Sequence, residues 1–140
     1  MPAMFDLERF VTAQQGGYDG VVRELRAGRK TTHWIWFIFP QLAGLGRSDV
    51  SRFYAIESID EARAYLAHPI LGPRLLECAG AVLGTSGVTA DQIFGSLDAM
   101  KVRSSMTLFH RAAPDEPLFG EMLERFYEGA EDETTVALLG

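Results

Sequence analysis

His33-Trp34-Ile35-Trp36-Phe37-Ile38-Phe39-Pro40 is the stretch whose conformation decides the fold. It contains both tryptophans and is apolar from Trp34 to Phe39, so whatever it forms must be covered on all sides. Its β-branched and aromatic content would suit a buried strand. Thr32 as N-cap, Pro40 as terminator and helical periodicity on both flanks predict a short buried helix instead. Upstream, Asp6 precedes Leu7, Phe10 and Val11 as the N-cap of a first helix. Tyr18, Val21, Val22 and Leu25 then recur at i, i+3, i+4, i+7, with Gly28 placed to end a second helix.

Downstream, Gln41 to Arg47 reads as a loop, and Ser48 caps a short helix reaching Tyr54. Ser58-Ile59-Asp60-Glu61 is a capping box opening a helix with Ile59, Ala62 and Leu66 inward, stopped by His68-Pro69. Pro73 suits the first turn of a longer helix striped by Leu75, Cys78, Ala79 and Val82. Thr89 caps a turn ending at Phe94-Gly95. Ser96 caps a helix that buries Val102, Met106 and Phe109 and is polar elsewhere. After the turn Pro114 to Pro117, another helix carries Phe119, Met122, Leu123 and Phe126. An acidic bend, Glu128 to Glu133, precedes a short apolar end. No paired strands, hairpin turns or repeats are evident. The expectation is an all-α fold of seven to nine short helices in one compact multihelical domain spanning 1–140, with its core over about 6–139.

With 140 residues, 47% of them hydrophobic, the chain can build a core unaided by disulfides or metals. The single Cys78 forbids an intramolecular disulfide, and the Met-Pro-Ala-Met start shows no signal-peptide pattern, so a reducing cytoplasmic location is expected. Its longest apolar run is far short of the roughly 20 residues of a membrane span. No His-x-x-x-His or Cys-x-x-Cys spacing suggests a metal, and no cofactor is indicated.

The net charge of −6 is unevenly distributed. Residues 115–140 sum to −7. No acid lies between Glu24 and Asp49, a window of +4, or from Ala99 to Pro114, a window of +3. Such clusters can be solvated faces, but they can also form an anion pocket. The overall acidity argues against a nucleic-acid binder, which needs a broad basic face. Gly44-Leu45-Gly46-Arg47-Ser48 sets glycines, a cation and a hydroxyl before a helix start, lacking the full pattern of a phosphate loop. Lys101, Ser104 and Ser105 share one helical face. Cys78, within an apolar stripe, reads as packing.

These segments, from Gly28-Arg29-Lys30 through Trp34-Ile-Trp36-Phe37-Ile38-Phe39-Pro40-Gln41 and Gly44-Leu45-Gly46-Arg47-Ser48 to Leu71-Gly72 and Lys101-Val-Arg103-Ser104-Ser105-Met106, resemble the domain of unknown function 1810 family. The resemblance implies a compact, mainly helical domain found in bacterial conserved hypothetical proteins, with no established activity or catalytic residue. Such sequences are often labelled calpastatin. This ordered, aromatic-rich composition is the opposite of a disordered, repetitive calpain inhibitor.

The residues together point to a helical binding module. Its hypothetical pocket comprises Arg29, Lys30, His33, Trp36, Gln41, Arg47 and Ser48 on one side and Lys101, Arg103 and Ser104 on the other. The expected ligand is a small anion, a nucleotide-like molecule or an acidic peptide, with the C-terminal acids lying elsewhere. Two alternatives stand beside it. One is a protein-interaction module using an exposed apolar patch. The other is an enzyme with His33 as acid/base and the cations stabilising negative charge.

Overall fold

The computed structural model describes residues 5–140; the Met1–Met4 start lies outside them. Ten helices are present among the described residues, seven of them with seven residues or more. They are α1 (Glu8–Gln14), α2 (Tyr18–Arg26), α3 (Ile35–Ile38), α4 (Asp49–Phe53), α5 (Ile59–Ala67), α6 (Leu71–Leu83), α7 (Ala90–Phe94), α8 (Ser96–Ala112), α9 (Pro117–Tyr127) and α10 (Glu133–Leu139). The described residues form no sheet; Leu42 and Ile56 make an isolated bridge that ties the loop after α3 to the entry of α5.

α8 is the central post, packed against α3, α5, α7, α9 and α10. Val102, Met106 and Phe109 are buried as their spacing predicts, but so are Ser104, Ser105, Thr107 and Leu108. The expectation of polar remaining sides is thus corrected, because other elements also cover those faces. Ser104 and Thr107 donate back to the carbonyls of Met100 and Arg103, the i−4 pattern that lets a hydroxyl enter a helical core.

The aromatic segment is helical only over Ile35–Ile38. Trp34, Ile35, Ile38 and Phe39 are buried, whereas Trp36 and Phe37 are half-buried. Thr32 does not cap α3: its hydroxyl donates to Glu24, and Trp34 occupies the cap position without a side-chain bond. Ser48 caps α4 as expected, accepting from Ser51 N–H. At α5 only half of the capping box forms. Ser58 accepts from Glu61 N–H, but the Glu61 carboxylate reaches one residue further, to Glu57 N–H, and pairs with Arg9 at 3.2 Å. Thr89 and Gln92 complete a reciprocal box at α7. Neither Asp6 nor Ser96 acts as N-cap; Leu7 and Gly95 hold those positions without side-chain bonds.

Gly72 sets the approach of α6 to the end of α5. A Cβ there would lie 2.1 Å from the Leu66 carbonyl oxygen. Gly28 follows α2 with φ +74, and the chain is turned there as Arg29 N–H bonds back to Glu24 O.

Phe39 is fully buried and meets Phe94 edge-on, with ring centroids 6.0 Å apart. Phe39→Ala is expected to lose about 3–5 kcal/mol in urea unfolding. Phe37→Ala, at a half-buried position, should lose distinctly less.

Candidate functional site

The basic windows approach one another through an acid that stands just outside them. Asp98, in the first turn of α8, bonds Lys30 Nζ at 2.9 Å and Lys101 Nζ at 3.1 Å. Lys30 Nζ also lies 5.3 Å from the Trp34 ring, and Lys101 Nζ 5.3 Å from the Trp36 ring. Burial alone would raise the Asp98 pKa, but the hydrogen bonds and charges of the two lysines outweigh it and hold the carboxyl below its ordinary range. Two ammonium groups share one carboxylate, so the cluster keeps an excess positive charge. Lys30 is nearly enclosed, whereas Lys101 is the more open of the two, with side-chain exposures of 8% and 30%.

Lys101 lines a cleft of about 280 Å³ with Gln41, Leu45 and Gly46 from the loop after α3, Leu97, Met100 and Ser104 of α8, and Asp132 and Thr134 at the start of α10. Leu97, Met100, Lys101 and Ser104 fall at i, i+3, i+4, i+7, a second stripe on α8 beside its core stripe. Leu97 is 75% and Met100 66% exposed. Neither was singled out from the sequence, nor was Asp98, although the same periodicity carries the signal. Asp132 is engaged as the N-cap of α10, accepting from Thr135 N–H and Oγ1.

The remaining predicted site residues are elsewhere or occupied. Arg103 donates to the carbonyls of Ala130 and Glu131, and Arg111 makes a two-point contact with the Glu131 carboxylate at 2.7 Å. The acidic bend therefore folds onto the second window, against the expectation that it would lie apart, because these arginines offer donors to its carbonyls and carboxylate. Arg29, Arg47 and Ser48 are exposed and do not line the α8 cleft. Ser48 is engaged with Ser51. Gly46 has a packing role: a Cβ there would lie 2.3 Å from Ser51 Cβ. Ser104 is buried and donates its hydroxyl proton to Met100 O.

His33 lies at a different cleft, of about 330 Å³, with Gly17, Gly20, Glu24, Trp34 and Phe37. It is exposed and has no hydrogen-bond partner among the described residues, so no second group orients it as an acid/base. Its neighbour Glu24 is fully employed, accepting from Thr31 N–H, Thr32 N–H and Oγ1, and Trp34 Nε1–H. Burial would raise the Glu24 pKa, but these bonds prevail and lower it to about 2. Cys78 is buried and its pKa is pushed up to about 12, chiefly by desolvation, so it is no thiolate at neutral pH. Among the described residues, no three His, Cys, Asp or Glu side chains are grouped to hold a metal, and no helix is long and apolar enough to cross a membrane.

Because Glu24 has a folded pKa below its ordinary 4.5, its bonds stabilise the fold fully above that value and are lost as pH falls towards about 2. Glu24→Gln should lower the melting temperature at pH 7 and flatten the acid limb of the stability profile, read by thermal melts across that range. Cys78→Ala should reduce stability modestly, and the folded wild type should resist alkylation at neutral pH until it is unfolded in denaturant.

Comparison with curated proteins returns no match. Among solved structures, the crystal structure of the conserved hypothetical protein Rv1873 from Mycobacterium tuberculosis is similar to this chain, with a TM-score of 0.96 and 53% identity over 98% of each chain. A family model described as a protein of unknown function (DUF1810) matches residues 4–139. With the match running through the aromatic segment, the glycine loop and the whole of α8, the chain belongs to the DUF1810 family.

Proposed function

We propose that this chain is a binding module for a partner protein, seated at the cleft between the loop after α3 and the first half of α8. The observation that carries this reading is the exposure of Leu97 and Met100 on one helical face, beside a lysine whose carboxylate is already shared. A contiguous exposed apolar patch rimmed by polar groups marks an interaction surface, and Leu97 and Met100 lie together on one side of a cleft that also holds Lys101 and Asp132. The occupant is a peptide segment with an apolar side chain for Leu97 and Met100 and a carboxylate for Lys101. Charge balance supports the carboxylate, since the Lys30–Asp98–Lys101 group has one cation more than it has anions.

The same geometry makes a free anion alone a poorer fit. Three cations of the predicted pocket are engaged within the fold, Lys30 and in part Lys101 by Asp98 and Arg103 by the acidic bend, and His33 lies at a separate cleft. The reading treats residues 1–140 as one unit, acting in the cytoplasm, where a free Cys78 thiol is at home. Catalysis is no part of it.

A displayed random-peptide library panned on the wild-type protein tests the proposal. Enriched peptides should pair an apolar residue with an acidic one. Their affinity should fall at least about tenfold for the L97S/M100S double variant, while the melting temperature stays within a degree or two, as expected for exposed positions. Lys101→Gln should erase the preference for the acidic residue. Peptides binding the double variant as well as the wild type would overturn the reading. So would a melting-temperature rise with phosphate or nucleotides that Arg29→Gln or Arg47→Gln abolishes, which would favour an anion pocket.

A further inference from the structure

Arg74 of α6 is half-buried and carries a guanidinium that nothing neutralises among the described residues. Its Nη1 donates to Gln14 Oε1 at 3.3 Å, and its Cζ lies 4.5 Å from the Tyr18 ring centroid. Both contacts hold the planar fork in place without cancelling its charge. Gln14 is itself 2% exposed, and its amide has one workable orientation. Its Nε2 donates to Phe37 O at 2.7 Å and to Tyr65 Oη at 3.3 Å, which leaves Oε1 to receive Arg74. A guanidinium has five N–H donors, so most of this one's capacity is unspent although part of its hydration has been removed.

The fork borders a cleft of about 330 Å³ lined by Gln14, Gln15, Gly16, Tyr18, Asp19 and Arg74. Asp19 is exposed, and its carboxylate makes no ion pair or hydrogen bond among the described residues. A cation and an anion thus border the same cleft without touching each other. Glu77, the other carboxylate nearby, accepts from Tyr18 Oη and borders a separate cleft with Arg26.

We infer that this cleft binds a free α-amino acid, its carboxylate on the Arg74 fork and its ammonium on Asp19. A simple anion would be repelled by Asp19, and a simple cation by Arg74. A zwitterion carries both charges and so suits a cleft bordered by a cation and an anion. The Arg fork suits a planar carboxylate because it can donate two parallel hydrogen bonds. Its orientation by buried Gln14 means little entropy is lost when a ligand docks. No element lines both this cleft and the one at α8, so the two sites stand or fall separately.

Titration of ¹⁵N-labelled protein with each common L-α-amino acid, followed by two-dimensional NMR, tests the site. At least one should give saturable shifts at the Gly16, Gly17 and Asp19 amides and at Arg74 Nε. For the best binder, the matched carboxylate lacking the ammonium and the matched amine lacking the carboxylate should each bind at least about tenfold more weakly. Arg74→Lys should weaken binding by a similar factor. Because Arg74 also packs on Tyr18, Asp19→Asn on the exposed side provides the decisive variant: binding should drop several-fold while the melting temperature falls only slightly, as expected for loss of one acid from the first turn of α2. Absence of saturable shifts with every amino acid overturns the inference. Equal or tighter binding of the bare carboxylate or of inorganic phosphate does the same, as does an Asp19→Asn protein that binds like the wild type.

Discussion

The carboxylate of Glu24 anchors the entry to the aromatic segment around which the core is built. It gathers two backbone N–H groups, one hydroxyl and the Trp34 indole N–H at the point where the chain leaves α2 for the aromatic segment. A tryptophan buried to 3% exposure needs an acceptor for its indole, and an ionised carboxylate is a strong one. With that bond made, Trp34 and Phe39 can enter the core from either end of a four-residue helix. Just before this anchor, Lys30 N–H bonds Ile93 O at 2.7 Å, which ties the turn after α2 to α7 and leaves the Lys30 ammonium at Asp98. One acidic side chain therefore positions the core's aromatic wedge, and the charge cluster lies directly beside it.

That cluster shows how a fold can join basic segments distant in sequence without a basic basin. Bringing Lys30 and Lys101 together unaided would be repulsive, and Asp98 removes most of the repulsion while leaving an excess of one charge. Each ammonium also faces an indole, a favourable arrangement for a partly desolvated cation. What results is a directional site rather than a diffuse field: a single lysine at the edge of a cleft, with apolar side chains beside it.

The helices were legible in the sequence because their apolar spacing reports burial directly. Val21, Val22 and Leu25 on α2, and Leu75, Cys78, Ala79 and Val82 on α6, face inward as their periods require. Caps are less legible. A serine, threonine or aspartate before an apolar run can cap, but α3 begins too late for Thr32, whose hydroxyl donates to Glu24, and the Glu61 carboxylate takes Glu57 N–H and Arg9. Such choices depend on partners many residues away. The site was legible only in part for the same reason. Lys30 and Lys101 were singled out by charge, yet Asp98 lay one residue outside the acid-free window, and the fold of the acidic bend onto Arg103 and Arg111 is a tertiary event without a local signal. Leu97 and Met100 carry the same spacing as core residues, yet this stripe faces water because no element packs over it.

The way Arg103 and Arg111 hold the start of α10 governs how the α8 cleft responds to ionic strength. Arg111 and Glu131 form a partly exposed ion pair of the kind worth about 0–1 kcal/mol and weakened by salt, whose screening length is roughly 8 Å under physiological conditions. Arg103 instead grips two backbone carbonyls, and Thr107 accepts the Asp132 N–H from within the core. Mobile ions compete weakly for such neutral acceptors. Added salt should therefore loosen the outer clasp while the inner one keeps the wall in place. The shape of the cleft should then change little with ionic strength, while the attraction of Lys101 for a carboxylate is tuned by the medium.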